Sequence, residues 1–124
     1  MSNPFLNTAI TIVREAADII LDYYYRKDRI LVSQKTLNHL VTNVDLKVQQ
    51  KIVTSLSAAY PSHDFLTEEK IHDENLLLKE ADYQWIVDPL DGTINFIHGF
   101  PHFAISIALK YKGKLEVALI YDPI

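Results

Sequence analysis

Six consecutive residues, Asp88-Pro89-Leu90-Asp91-Gly92-Thr93, place two carboxylates three positions apart around a proline, with a glycine and a hydroxyl behind them. Carboxylate oxygens are the usual protein ligands for hard divalent cations such as Mg²⁺. Pro89 restrains the backbone and Gly92 relaxes it, so a turn here can aim both carboxylates at one point. The same residue types are common turn formers whose side chains bond their own backbone. The hexapeptide alone therefore supports either metal binding or plain turn chemistry.

Three other acids could join it. Glu68-Glu69 follow the apolar pair Phe65-Leu66. Adjacent glutamates are ordinarily solvated surface residues, but a strand ending in acids can also deliver a third carboxylate to the same place. Gly92-Thr93-Ile94-Asn95-Phe96 reads as the start of a short helix, where free N–H groups and the helix dipole favour a phosphate. Thr93 offers a hydroxyl able to orient a water. Asp45 falls at the start of another expected helix, where its first reading is a charge favourable with the helix dipole; it could also accept a hydrogen bond from Thr93. Lys35 lies in a polar stretch and is read as solvated. The histidines at 39, 63, 72, 98 and 102 lack the spacing of metal ligands and are read as non-ligands. No P-loop, GxGxxG or GxSxG is present, which leaves nucleotide cradling and serine-hydrolase chemistry without support.

The elements that must position these groups follow from periodicity. Asn3-Pro4 is an N-cap followed by proline at the first helical position. Leu6, Ile10, Val13, Ala17, Ile20 and Tyr24 then recur at helical spacing. The cluster Tyr23-Tyr24-Tyr25 is expected to pack at that helix's end. Ile30 to Val32 could form a short strand, and the polar Ser33 to Thr42 reads as a loop. A second helix is expected from about Asn43, with Val44, Val48, Ile52 and Leu56 on one face and a stop at Tyr60-Pro61. Phe65-Leu66-Thr67 is a short strand, Ile71 to Glu80 a weak helix, and Tyr83 to Val87 a strand ending at Asp88-Pro89. Phe103, Ile105, Ile107 and Leu109 alternate as one strand face, and Leu115 to Tyr121 returns after a turn at Lys112-Gly113-Lys114, forming a hairpin. The order predicts a layered α/β (α+β) arrangement, with helices packed on a partly antiparallel sheet.

Composition narrows the function. With 124 residues, 48% hydrophobic and 23% charged, the chain is globular and suits one domain or part of one. A net charge of −4 with scattered Lys and Arg gives no nucleic-acid footprint, so no direct nucleic-acid binding is expected. The absence of cysteine excludes a disulfide framework and thiolate metal sites. The N-terminus does not read as a signal peptide. No apolar run approaches the roughly 20 residues that span a bilayer. A cytoplasmic protein without a membrane partner is the expectation.

The run Trp85-Ile86-Val87-Asp88-Pro89-Leu90-Asp91-Gly92-Thr93-Ile94-Asn95-Phe96-Ile97-His98-Gly99-Phe100-Pro101 resembles the first signature of the inositol monophosphatase family. Leu40-Val41-Thr42-Asn43-Val44-Asp45 and Phe65-Leu66-Thr67-Glu68-Glu69 resemble two further segments of that family, and several stretches resemble a bacterial branch of it. The resemblance runs from the first helix to Ile124 and implies a sugar-phosphatase-like fold. It also implies roles. Glu68, Asp88 and the backbone carbonyl of Leu90 would hold one Mg²⁺, and Asp88 with Asp91 would contribute to a second. Asp45 and Thr93 would orient the attacking water, with Glu69 nearby, and the backbone at Gly92 and Thr93 would receive phosphate oxygens. The reaction would be direct attack of metal-activated water on inositol monophosphate, inhibited by Li⁺, in a homodimeric full-length protein.

The chain departs from the family pattern at Ile94, where a second threonine is common, at Lys70, where a small residue is usual, and at His39, where Asp or Asn is usual. The family's second signature, a Trp-Asp followed by small residues, is absent, so residues 1–124 are read as the N-terminal portion of such a domain. Asn95-Phe96 favours the inositol branch over sister phosphatases that share Asp-Pro-Leu-Asp-Gly. Two alternatives stand beside the enzyme reading: an accessory of bacterial transcription antitermination that binds the transcription machinery, and an inactive truncated fragment. By itself the 124-residue chain is expected to be inactive, and to self-associate through an open edge at Leu115 to Tyr121.

Overall fold

The computed structural model describes residues 3–36, 39–67 and 81–124. Helix α1 (Pro4–Tyr24) begins as the sequence predicts, with the Asn3 side chain accepting from the N–H groups of Phe5 and Leu6. Its buried face is Ala9, Ile12, Val13, Ala16, Ala17 and Ile20. Ile10 is only half-buried, so the face is turned slightly from the predicted one and gains Ala9, Ile12 and Ala16. Tyr23 and Tyr24 pack against the core as expected, whereas Tyr25 is exposed.

The chain then departs from expectation. A short 3₁₀ turn covers Lys27–Arg29, and the segment read as a polar loop is instead an antiparallel hairpin of β1 (Val32–Thr36) and β2 (His39–Thr42). Backbone pairing, which periodicity does not report, holds it. Ser33 pairs with Val41 and Gln34 with Leu40. Asn43 ties its base: the Asn43 side chain accepts from the Leu31 N–H and donates to the Arg29 carbonyl, while its N–H donates to the Leu31 carbonyl.

Helix α2 (Asn43–Ala59) buries Val44, Val48, Ile52 and Leu56 completely, the four residues its spacing marks. Truncating Leu56 to alanine would cost about 2–5 kcal/mol. A second sheet follows in the order β3 (Asp64–Thr67), β4 (Tyr83–Asp91), β5 (Ala104–Tyr111), β6 (Lys114–Tyr121). The β3–β4 pair is parallel and the other two antiparallel. Between β5 and β6 a two-residue turn puts Lys112 and Gly113 both at positive φ, the geometry that matches the twist of a hairpin.

One face of this sheet is the floor of the core. Phe65, Trp85, Leu109 and Val117 form a cross-strand row beneath α1 and α2, with Val87, Ile105 and Ile107 beside it. On the other face Leu66, Ile86, Ala108 and Ala118 form a second row, and Leu66 is more than half exposed. Along β6, Val117 is buried, Leu119 half-buried and Ile120 77% exposed. No helix among the described residues is long and apolar enough to cross a membrane.

Candidate active site

Strand β4 does not stop before the carboxylates, as predicted; it carries them. Asp88 still pairs with Ser106, and the register then slips before Asp91 meets Ala104. Pro89 has no N–H to give the ladder, so the strand distorts there without ending. The slip buries Pro89 and Leu90 and leaves Asp91 exposed. Asp88 is half-buried, with its Oδ1 shut off from solvent.

Gly92 turns the chain out of β4 into helix α3 (Thr93–His98). It adopts φ 92°, and a Cβ there would stand 2.7 Å from the His102 carbonyl oxygen. Only glycine fits this corner. The short helix anticipated from Gly92 onward is present, and Phe96 anchors it in the core.

The chemically informative contact joins the two layers. The Thr93 hydroxyl lies 2.9 Å from Asp45 Oδ1 and 3.1 Å from the Leu90 carbonyl oxygen. Asp45, at 3% exposure, occupies the first turn of α2, so both alternatives drawn from the sequence hold at once. Its Oδ2 completes a capping box with Thr42, and its Oδ1 meets Thr93. The structure thus brings Asp45, Leu90 and Thr93 into direct contact, at the end of the strand that carries Asp88 and Asp91.

Glu68 and Glu69 lie outside the described residues. Strand β3 ends with Thr67 opposite Val87, one residue before Asp88. Among the described residues no three His, Cys, Asp or Glu side chains cluster as a metal site. Asp88, the Leu90 carbonyl and Asp91 follow one another along β4, and all are oxygen donors of the kind a hard cation takes.

Sequence reading missed two residues. Thr42 was signalled by the Thr-x-x-Asp spacing into a helix, a variant of the capping box. His63 had no such signal. It is buried, its Nδ1 accepts from Trp85 Nε1 at 2.9 Å, and its ring stacks between Tyr60 and Tyr83. Burial pushes its pKa below the ordinary 6.5.

Residues 1–124 match the family model described as the inositol monophosphatase family. The chain is 48% identical over 121 residues to the Nus factor SuhB of Pseudomonas aeruginosa, covering 98% of this chain and 44% of that protein. Among solved structures it is similar to the extragenic suppressor protein suhB from Bartonella henselae, with TM-score 0.86 and 36% identity over 98% of this chain and 46% of that one. It is also similar to an IMPase/NADP phosphatase complexed with Mg²⁺ and phosphate, with TM-score 0.76 and 28% identity over 92% of this chain and 42% of that one. The chain therefore spans less than half the length of the relatives it matches.

Proposed function

This chain belongs to the inositol monophosphatase family, and from that premise we propose that it supplies the metal- and water-binding portion of a Mg²⁺-dependent hydrolase of inositol monophosphate. Asp88, the Leu90 carbonyl and Glu68 would hold one Mg²⁺, and Asp88 with Asp91 part of a second. When bound, such ions lower the pKa of water and stabilise the leaving oxygen. The observation that carries the reading is Thr93, held between Asp45 and Leu90.

A hydroxyl has one proton to give. Donated to the Asp45 carboxylate or the Leu90 carbonyl, it leaves the Thr93 oxygen as an acceptor only. That oxygen then draws a hydrogen of the attacking water and turns the water's lone pair toward phosphorus. Glu69 would stand nearby to take up the proton the water sheds, and the backbone N–H groups of Gly92 and Thr93 would hold phosphate oxygens. A P–O bond forms to the water oxygen, the P–O bond to inositol breaks, and the leaving oxygen takes a proton from solvent, giving inositol and inorganic phosphate.

The full-length protein should release phosphate from inositol monophosphate only with Mg²⁺ present, and Li⁺ should inhibit it. Release that persists after chelation of divalent ions would refute the metal assignment. The full-length protein would be a cytoplasmic homodimer, and the isolated 124-residue chain would be inactive, since Asp88 and Asp91 alone offer the second ion two carboxylates. Gel filtration with light scattering and a phosphate-release assay test both.

A second reading is favoured by the name Nus factor carried by relatives such as that of Pseudomonas aeruginosa. On it, the full-length protein binds the transcription machinery as an accessory of antitermination. An Asp88→Asn protein that loses hydrolysis but still supports antitermination would separate the two.

A further inference from the structure

Thr42 stands immediately before α2, 1% exposed, and holds Asp45 from two directions. Its N–H donates to Asp45 Oδ2 at 2.8 Å, and its hydroxyl donates to the same oxygen. The hydroxyl oxygen also lies 3.1 Å from the Val44 nitrogen and 3.3 Å from the Asp45 nitrogen, accepting from both. One residue thus supplies two donors to a single carboxylate oxygen.

A carboxylate is planar, so fixing Oδ2 also fixes the rotation that places Oδ1. Oδ1 is the atom that receives the Thr93 hydroxyl. Helix capping alone explains why the Thr42 oxygen accepts from the first N–H groups of α2. It does not require that the hydroxyl proton be spent on Asp45. Here the proton is spent there, and the fixed carboxylate reaches across to α3. We propose that Thr42 is a positioning residue for hydrolysis: it locks Asp45 so that the Thr93 hydroxyl is held as an acceptor toward the attacking water. The inference rests on the water-orienting role of Thr93 proposed above. Thr42 acts through Asp45 and touches neither water nor substrate.

The test is steady-state phosphate release from inositol monophosphate by the full-length protein with Mg²⁺. It compares Thr42→Ser, Thr42→Val, Thr93→Ala and the Thr42→Val/Thr93→Ala pair. Thr42→Ser keeps the hydroxyl and should restore near-normal kcat. Thr42→Val should lower kcat about 10- to 100-fold, the scale of a misplaced reacting group, with KM unchanged. Groups that act in series do not add, so Thr42→Val should cost nothing further once Thr93 is alanine. Loss that multiplies in the double variant would show that Thr42 works outside the Asp45–Thr93 contact, and would overturn the proposal. If Thr42→Val does not fold, Thr42→Gly carries the same comparison, because glycine keeps most of an N-cap's stability without the hydroxyl. Unchanged kcat in Thr42→Gly would likewise overturn it. An impaired Thr93→Ala beside an unimpaired Thr42→Val defeats the positioning role alone. An unimpaired Thr93→Ala defeats the water-orienting reading, and the positioning role with it.

Discussion

The two ends of strand β4 both bring polar groups near the core, and they do so in opposite ways. At the first end Trp85 gives its indole N–H to His63, which is closed in by Tyr60, Tyr83 and Phe5. That bond is sealed among rings. At the other end Asp88, the Leu90 carbonyl and Asp91 follow one another on a distorted stretch, and Thr93 is tied to Asp45 from the helix layer. The sealed end satisfies a polar group to hold the fold. The open end carries two carboxylates and a backbone carbonyl in succession, oxygen donors of the kind a hard cation takes. Variation at the first end should therefore be read in stability, and at the second in turnover.

The largest effect is expected from Asp88→Asn, which keeps shape and removes one charge. In the full-length protein phosphate release should fall ~100-fold or more, since even the outer partners of metal ligands cost about 10–100-fold. A Mg²⁺ titration followed by release rate should show a higher Mg²⁺ concentration for half-maximal rate. A variant with normal Mg²⁺ dependence would remove Asp88 from the metal site. Trp85→Phe, at the sealed end, should leave the rate per folded molecule unchanged.

Next comes Thr93→Ala. Positioned groups that handle protons in the transition state contribute about 10²–10⁴-fold. A hydroxyl that only orients water belongs at the low end, so kcat should fall about 100-fold while the Mg²⁺ concentration for half-maximal rate moves little. If metal affinity falls as far as kcat does, Thr93 is supporting the ion, and the division of labour drawn here is wrong.

The sealed end gives a smaller effect, read differently. His63→Leu takes the acceptor away from Trp85 Nε1 and leaves a buried donor unpaired, at a cost of about 1–3 kcal/mol. Urea unfolding should show a lower midpoint at the same slope, and turnover per folded molecule should not change. A lost rate at unchanged stability would mean that the two ends of β4 are not independent.

The open end was legible in the sequence because its chemistry is contiguous. Asp88 to Thr93 lie within six residues, and apolar spacing placed the helix that brings Asp45. The fold was legible wherever one face is buried, as in α1, α2 and the alternation from Phe103 to Leu109. What escaped was held by longer-range or backbone forces. The β1–β2 hairpin is polar in sequence and rests on backbone pairing. The strand through Pro89 continues because Asp88 and Asp91 find partners on β5. The His63–Trp85 bond joins residues 22 positions apart, and nothing in Pro61-Ser62-His63 foretells it.

The pH dependence of stability separates the two ends most finely. His63 has a pKa below the ordinary 6.5 in the folded state because burial penalises its charged form. Unfolded, it returns to about 6.5. Well above that value both states are neutral at this ring, and the group adds no pH dependence. As the pH drops below 6.5 the unfolded chain takes up a proton before the folded one does. Stability then falls with falling pH, by at most about 1.4 kcal/mol per unit for one proton, until the folded-state pKa is also passed. The charged ring would have both nitrogens as donors, so Trp85 Nε1 would also lose its acceptor. His63→Asn offers an oxygen near the position of Nδ1 and does not titrate. Urea midpoints of the full-length protein measured at pH 7.5 and 5.5 should therefore differ less in the variant than in the wild type, the remainder coming from other titrating groups. An equal difference in both proteins would show that His63 does not carry the acid sensitivity, and that the first end of β4 is less closed than its ring contacts suggest.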